Sequence, residues 1–223
     1  MSDVVSLELL LDEQTEERVR AEWRALAEAG LSSMAAHPSP SNRPHITLLV
    51  RPSLPPLAVA VVARAVALPM DVALGAPLLF GCGERRVLAR SVVATAELLE
   101  LHRALHDIVG PGDDAAHTRP GEWMPHVTLA RRIRLDALPQ ALRALDALVP
   151  PDRPAATTTP GASDQSAAPA TPTVSAAPGA SGAPAATTTP EPPAAPGIRT
   201  AHAVTLRRWD SATATVTDVL TRP

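Results

Sequence analysis

The sequence predicts an α+β domain whose strands pair mainly antiparallel. Three observations carry this. Strand-like and helix-like patterns alternate through the first 149 residues, and two more strand-like runs lie near the end of the chain, giving about seven strands and four helices. Connections as short as residues 81–85 and 209–211 join neighbouring strands, and links that short suit antiparallel pairing. No glycine-rich turn follows the first strand, which disfavours a doubly wound dinucleotide-binding sheet.

The elements follow in order. Val4–Leu11 is an apolar run of strand length. Asp12 can cap a helix through Ala29, with Glu13, Glu16 and Glu17 near its positive end and Gly30 as its stop. A Ser/Pro loop over 31–44 leads to a strand from His45 to about Arg51. Leu57–Leu68 reads as a helix. Asp71–Phe80 and Arg86–Ala94 flank Gly81-Cys82-Gly83-Glu84-Arg85 as a hairpin. Glu97–Val109 reads as a helix, 111–125 as a loop, 126–131 as a strand and Leu138–Leu148 as a helix. Thr200–Arg208 and Ala212–Leu220 are rich in Thr, Val and Ala around Trp209-Asp210-Ser211, the pattern of a second hairpin.

Composition changes sharply at Pro150. Residues 150–197 are almost all Ala, Pro, Thr, Ser and Gly, and Pro-Ala-Ala-Thr-Thr-Thr-Pro occurs at 154–160 and again at 184–190. Such a segment has little apolar surface to set against its ordering entropy, so it is expected to be a disordered insertion. Residues 1–149 and 198–223 then form one domain. Lengthening a surface loop in this way costs only about 1–2 kcal/mol. No arginine-flanked PxxP motif marks the tract as a docking site, so a solvated spacer is favoured over a scaffold.

Apolar residues make up 45% of the 223-residue chain, enough for a core. The formal charge is −3, and all 20 basic residues are arginine, so a broad charge-driven nucleic-acid surface and a DNA partner are not expected. One cysteine, Cys82, excludes an internal disulfide framework and a multi-cysteine zinc site. The N-terminus lacks a basic region before an apolar stretch, and the longest apolar run, Leu57–Met70, is broken by Arg64. A cytoplasmic monomer without membrane contact is expected.

One internal repeat carries chemistry. Residues 44–48 read Pro-His-Ile-Thr-Leu, and residues 125–129 read Pro-His-Val-Thr-Leu. In a strand, alternate side chains share a face. His45 and Thr47 therefore point one way and Ile46 and Leu48 the other, with the same division for His126 and Thr128 against Val127 and Leu129. Pro44 and Pro125 cannot donate to a ladder and mark the strand starts. Two such strands brought together would set two imidazoles and two hydroxyls around one small anion. Histidine titrates near pH 6.5, so one ring can be neutral while the other is protonated. That pair suits in-line displacement at phosphorus: one imidazole takes a proton from water and the other protonates the departing oxygen. Thr47 and Thr128 can donate to the non-bridging oxygens. No metal and no cofactor are needed, and spacing alone leaves the two histidine roles interchangeable.

The paired motifs resemble those of the two-histidine (2H) phosphoesterase superfamily, in its 2′-5′ RNA ligase-like or RNA 2′,3′-cyclic phosphodiesterase branch. The run Trp123-Met124-Pro125-His126-Val127-Thr128-Leu129-Ala130-Arg131 is similar to that family's second motif, including the trailing arginine. The resemblance spans 4–149 and resumes at about 198–221. It implies a bilobal fold of two sheets with pseudo-twofold symmetry and the motifs facing across a central groove. It also implies opening of 2′,3′-cyclic phosphates of RNA ends or small nucleotides to 2′-phosphates, in some members with 2′-5′ joining of RNA ends. His45 is then the proton donor to the leaving 3′ oxygen and His126 the acceptor from water. The alternative is a module of the same fold that binds a nucleotide or phosphate without turnover.

Other candidates are weaker. Arg131 lies on the face opposite His126 by strict alternation, unless a bulge turns it inward. Arg51 has the parity of His45 but lies six residues on. Arg85, Arg86, Arg207 and Arg208 can add positive potential. His102 and His106, four apart on one helix, lack a third metal ligand and read as a solvated face. Cys82 reads as a buried or loop thiol, and Trp23 and Phe80 as core. Trp123 is the aromatic nearest a motif.

Overall fold

A computed structural model describes residues 3–148 and 199–222, so the Pro/Ala/Thr tract expected to be a disordered insertion lies outside the described residues. Seven strands and four α-helices alternate in the order β1 (Val5–Leu11), α1 (Glu13–Glu28), β2 (His45–Arg51), α2 (Val59–Ala65), β3 (Met70–Phe80), β4 (Arg85–Val92), α3 (Ala96–Val109), β5 (His126–Arg134), α4 (Leu138–Asp146), β6 (Arg199–Asp210) and β7 (Thr215–Thr221). No described helix is long and apolar enough to cross a membrane.

Local chemistry explains the boundaries. Asp12 caps α1 by accepting the Thr15 backbone N–H at 2.9 Å, and Thr95 caps α3 by accepting from Leu98. Ala58 offers α2 no capping oxygen, and that helix is shorter than the sequence suggests. Trp209 and Asp210 stay in the β6 ladder opposite Val216 and Thr215, which moves the second hairpin's turn to 211–214.

Every described strand pairing is antiparallel. Two sheets were expected; the hydrogen bonds link all seven strands into one sheet, ordered β1-β2-β5-β4-β3-β6-β7 with a further β1–β6 pairing. The cause is β6. Its first half, Arg199–Ala203, pairs with β3, and its second half, Ala203–Asp210, pairs with β1. A second, slender link joins β2 to β5 through the single pair Ile46–Val127. The core packs on the face that buries Ile46, Leu48, Val127 and Leu129, each at 0% exposure, together with Leu7, Leu9, Trp23 and Leu105.

Candidate active site

The Ile46–Val127 pair is where the two motifs meet. Antiparallel pairing at that point sets His45 beside Thr128 and Thr47 beside His126. Ile46 and Val127 point into the core, so all four polar side chains share the opposite face. Both strands then carry the same irregularity. Leu7 pairs with Leu49 and Glu8 with Thr47, leaving Leu48 as an extra residue. Leu88 pairs with Ala130 and Ala89 with Thr128, leaving Leu129 as an extra residue. These bulges let two successive residues turn into the core, which is why Leu48-Leu49 and Leu129-Ala130 are all buried.

Each imidazole is fixed in the same way. His45 Nδ1 lies 2.6 Å from the carbonyl of Arg43, and His126 Nδ1 lies 2.7 Å from the carbonyl of Met124. A carbonyl only accepts, so Nδ1 carries the hydrogen in both rings, and Nε2 is the atom free to exchange a proton. Each motif is also braced by a tryptophan. The Trp123 indole donates to the Thr47 carbonyl at 2.9 Å, and the Trp23 indole donates to the Thr128 carbonyl at 3.0 Å.

The electrostatics differ between the two. Burial, and then the charges of His117 and His45, push His126 below the ordinary imidazole range against the pull of its Met124 bond, so it rests neutral. His45 Nε2 instead lies 3.7 Å from Oε1 of Glu8. Burial alone would raise the Glu8 carboxyl. The charges of His45 and Arg207 and the bonds from Ser6 and Arg207 outweigh it, and Glu8 stays ionised. A cavity of about 450 Å³ is lined by Leu10, which pairs with His45, and by Ser41, Arg43, Arg207 and Asp218; none of the four motif side chains lines it.

Several sequence expectations need correction. Arg51 is 5% exposed, donates to Asp114 at 2.6 Å and to the Gly110 carbonyl at 2.7 Å, and is a structural residue. His102 and His106 do not form a solvated face. They are 2% and 8% exposed, because α3 turns them inward with Leu98, Leu101 and Leu105. His102 stacks on Trp123 at 4.0 Å with planes 2° apart, and burial together with the neighbouring His106 pushes it down to about 4. Phe80 is half-buried rather than core, with its ring 4.5 Å from that of His126. It is a site residue that pattern reading missed, since nothing in its local sequence distinguishes it from a packed strand residue. Trp23 is core, at 3% exposure. Cys82 is an exposed loop thiol. For Arg131, the Leu129 bulge reverses the parity of β5, and this exposed residue falls on the histidine face. No cluster of metal-ligating side chains occurs among the described residues.

A family profile described as the 2′-5′ RNA ligase superfamily matches residues 11–158, which include both motifs. The chain belongs to the 2′-5′ RNA ligase superfamily. Membership accords with a 2H phosphoesterase and indicates an enzyme of the phosphoesterase or ligase type with an RNA-related substrate. No curated protein matches the chain. Within this superfamily member, the matched span leaves out β6 and β7, although β6 supplies Arg207 to the first motif's surroundings.

Proposed function

We propose that this protein is a metal-independent phosphodiesterase that opens 2′,3′-cyclic phosphates of RNA ends or nucleotides to 2′-phosphates, with 2′-5′ joining of RNA ends as the same ring opening when a 5′-hydroxyl attacks in place of water. The observation that carries the reading is the crossing of two identically posed His-x-Thr motifs at Ile46–Val127, with both Nε2 atoms unclaimed by a hydrogen bond from the described protein. The matching bulges, Nδ1 bonds and indole braces support two related lobes around one groove.

In the step we envisage, neutral His126 Nε2 takes a proton from water as the water oxygen attacks phosphorus. The P–O3′ bond breaks, and O3′ takes the proton on His45 Nε2. One proton enters the pair and one leaves it, and exchange with solvent resets both rings. Thr47 and Thr128 donate to the non-bridging oxygens, where charge accumulates, and Arg131 adds a cation at the rim.

The test is incubation of the full chain with 2′,3′-cyclic mononucleotides and cyclic-phosphate-ended RNA, with products separated by chromatography. Nucleoside 2′-phosphate is expected. Tight nucleotide binding with unchanged substrate after long incubation would favour the non-catalytic module.

A further inference from the structure

The two motifs match in backbone, yet the strands beside them do not match in chemistry. Thr47 in β2 pairs with Glu8 in β1, and Thr128 in β5 pairs with Ala89 in β4. The same register position therefore holds a carboxylate beside the first motif and a methyl group beside the second. Glu8 is 5% exposed and Ala89 is 0% exposed. A buried carboxylate is costly without partners, and Glu8 has them. Ser6 Oγ donates to Oε1 at 2.7 Å, and Arg207 Nε donates to Oε2 at 2.7 Å. Arg207 is itself 2% exposed and is pinned by a bond from Nη2 to the Ser41 carbonyl at 3.0 Å. Both partners leave Oε1 aimed toward His45.

We propose that Glu8, anchored by Ser6 and Arg207, is a positioning residue that makes the two histidines inequivalent: its carboxylate faces His45 Nε2 and favours the proton-donor role there, while Ala89 sets no charge beside His126. The separation matters. At 3.7 Å the carboxylate is near enough to favour imidazolium yet too far to hold its Nε2–H in a hydrogen bond, so that hydrogen remains available to a substrate oxygen. The other charged groups around the pair do not cancel the asymmetry. The Arg207 guanidinium is paired with Glu8 at 2.7 Å. The Arg43 guanidinium is held by Glu16, at 2.6 Å. His117 acts on His126, in the direction that keeps it neutral. This inference rests on the proposed activity for its meaning, but its first readout does not need activity.

The experiment is a histidine titration by carbon-detected NMR of the full chain, with His45 and His126 assigned from single substitutions. The His45 midpoint is expected above that of His126, and Glu8→Gln should lower the His45 midpoint while leaving His126 nearly fixed. Glu8→Asp keeps the charge and should retain most of the wild-type midpoint. In turnover assays, Glu8→Gln should move the alkaline limb of the rate profile to lower pH by the same amount. Equal midpoints in the wild-type chain, or a Glu8→Gln chain with both midpoints unchanged, would overturn the proposal even if Glu8→Gln proves too unstable for kinetics. A wild-type chain inert on every cyclic phosphate would instead overturn the activity reading and leave the titration difference standing.

Discussion

His45 and His126 hold one backbone pose, but the environments around them diverge. The first ring borders a buried ion pair reaching across three strands, Glu8 in β1 and Arg207 in β6 beside Thr47 in β2. The second is half-buried against Phe80, with no carboxylate at the matching position. The shared geometry comes from local sequence: a proline, a histidine, alternation and a bulge. The difference comes from residues far away in the chain. Repetition thus gives the two motifs one backbone pose, and the neighbouring strands give them different surroundings.

Removing either ring should have the largest effect. His45→Ala and His126→Ala should each lower kcat by about 100- to 10,000-fold, while circular dichroism shows an intact fold. If the two rings act as donor and acceptor, kcat/KM should follow a bell in pH, and each substitution should erase a different limb.

Arg131 offers a smaller test. It has a counterpart in the first strand, Val50, one residue after the buried pair Leu48-Leu49. Arg131→Gln should raise KM roughly tenfold, the loss of one charge-assisted contact to phosphate. Val50→Thr should leave KM unchanged, as measured by initial rates.

The braces behind the motifs predict a stability effect. His102 is neutral in the fold, pushed down to about 4 by burial and by the neighbouring His106, against 6.5 for an unfolded histidine. Between those values the unfolded chain binds a proton that the folded chain refuses. Stability is therefore fully present above pH 6.5, falls by about 1–3 kcal/mol as pH drops toward 4, and levels off below it. Urea unfolding at pH 7 and pH 4.5 should show this slope, and His102→Gln should flatten it. The smallest expected effect is from chelation: a metal-scavenging chelator should leave turnover unchanged in a continuous assay.

Much of the fold was legible because its signals are local. Asp12 and Gly30 bound α1 as their chemistry requires, and the Gly81–Glu84 turn joins β3 to β4. The four motif residues of the candidate site stand out in the sequence because a five-residue context occurs twice. The rest depended on long-range placement. Glu8 reads as one polar residue in an apolar strand, and its partner Arg207 lies beyond the Pro/Ala/Thr tract. The inward turn of His102 and His106 needed the 111–125 loop to supply Trp123 as a stacking partner. Arg51 and Arg131 were misplaced by strict alternation because each strand carries a bulge, announced only by a second small or apolar residue after Thr-Leu. Two sheets became one because β6 is long enough to serve β1 and β3 in turn.

The central claim is that both imidazoles act on one phosphorus. Phosphorus NMR of a 2′,3′-cyclic mononucleotide incubated with the wild-type chain, with His45→Ala and with His126→Ala tests it most directly. The cyclic resonance should give way to a 2′-monophosphate signal with wild type alone and persist with both variants. Conversion by either variant at the wild-type rate would contradict it.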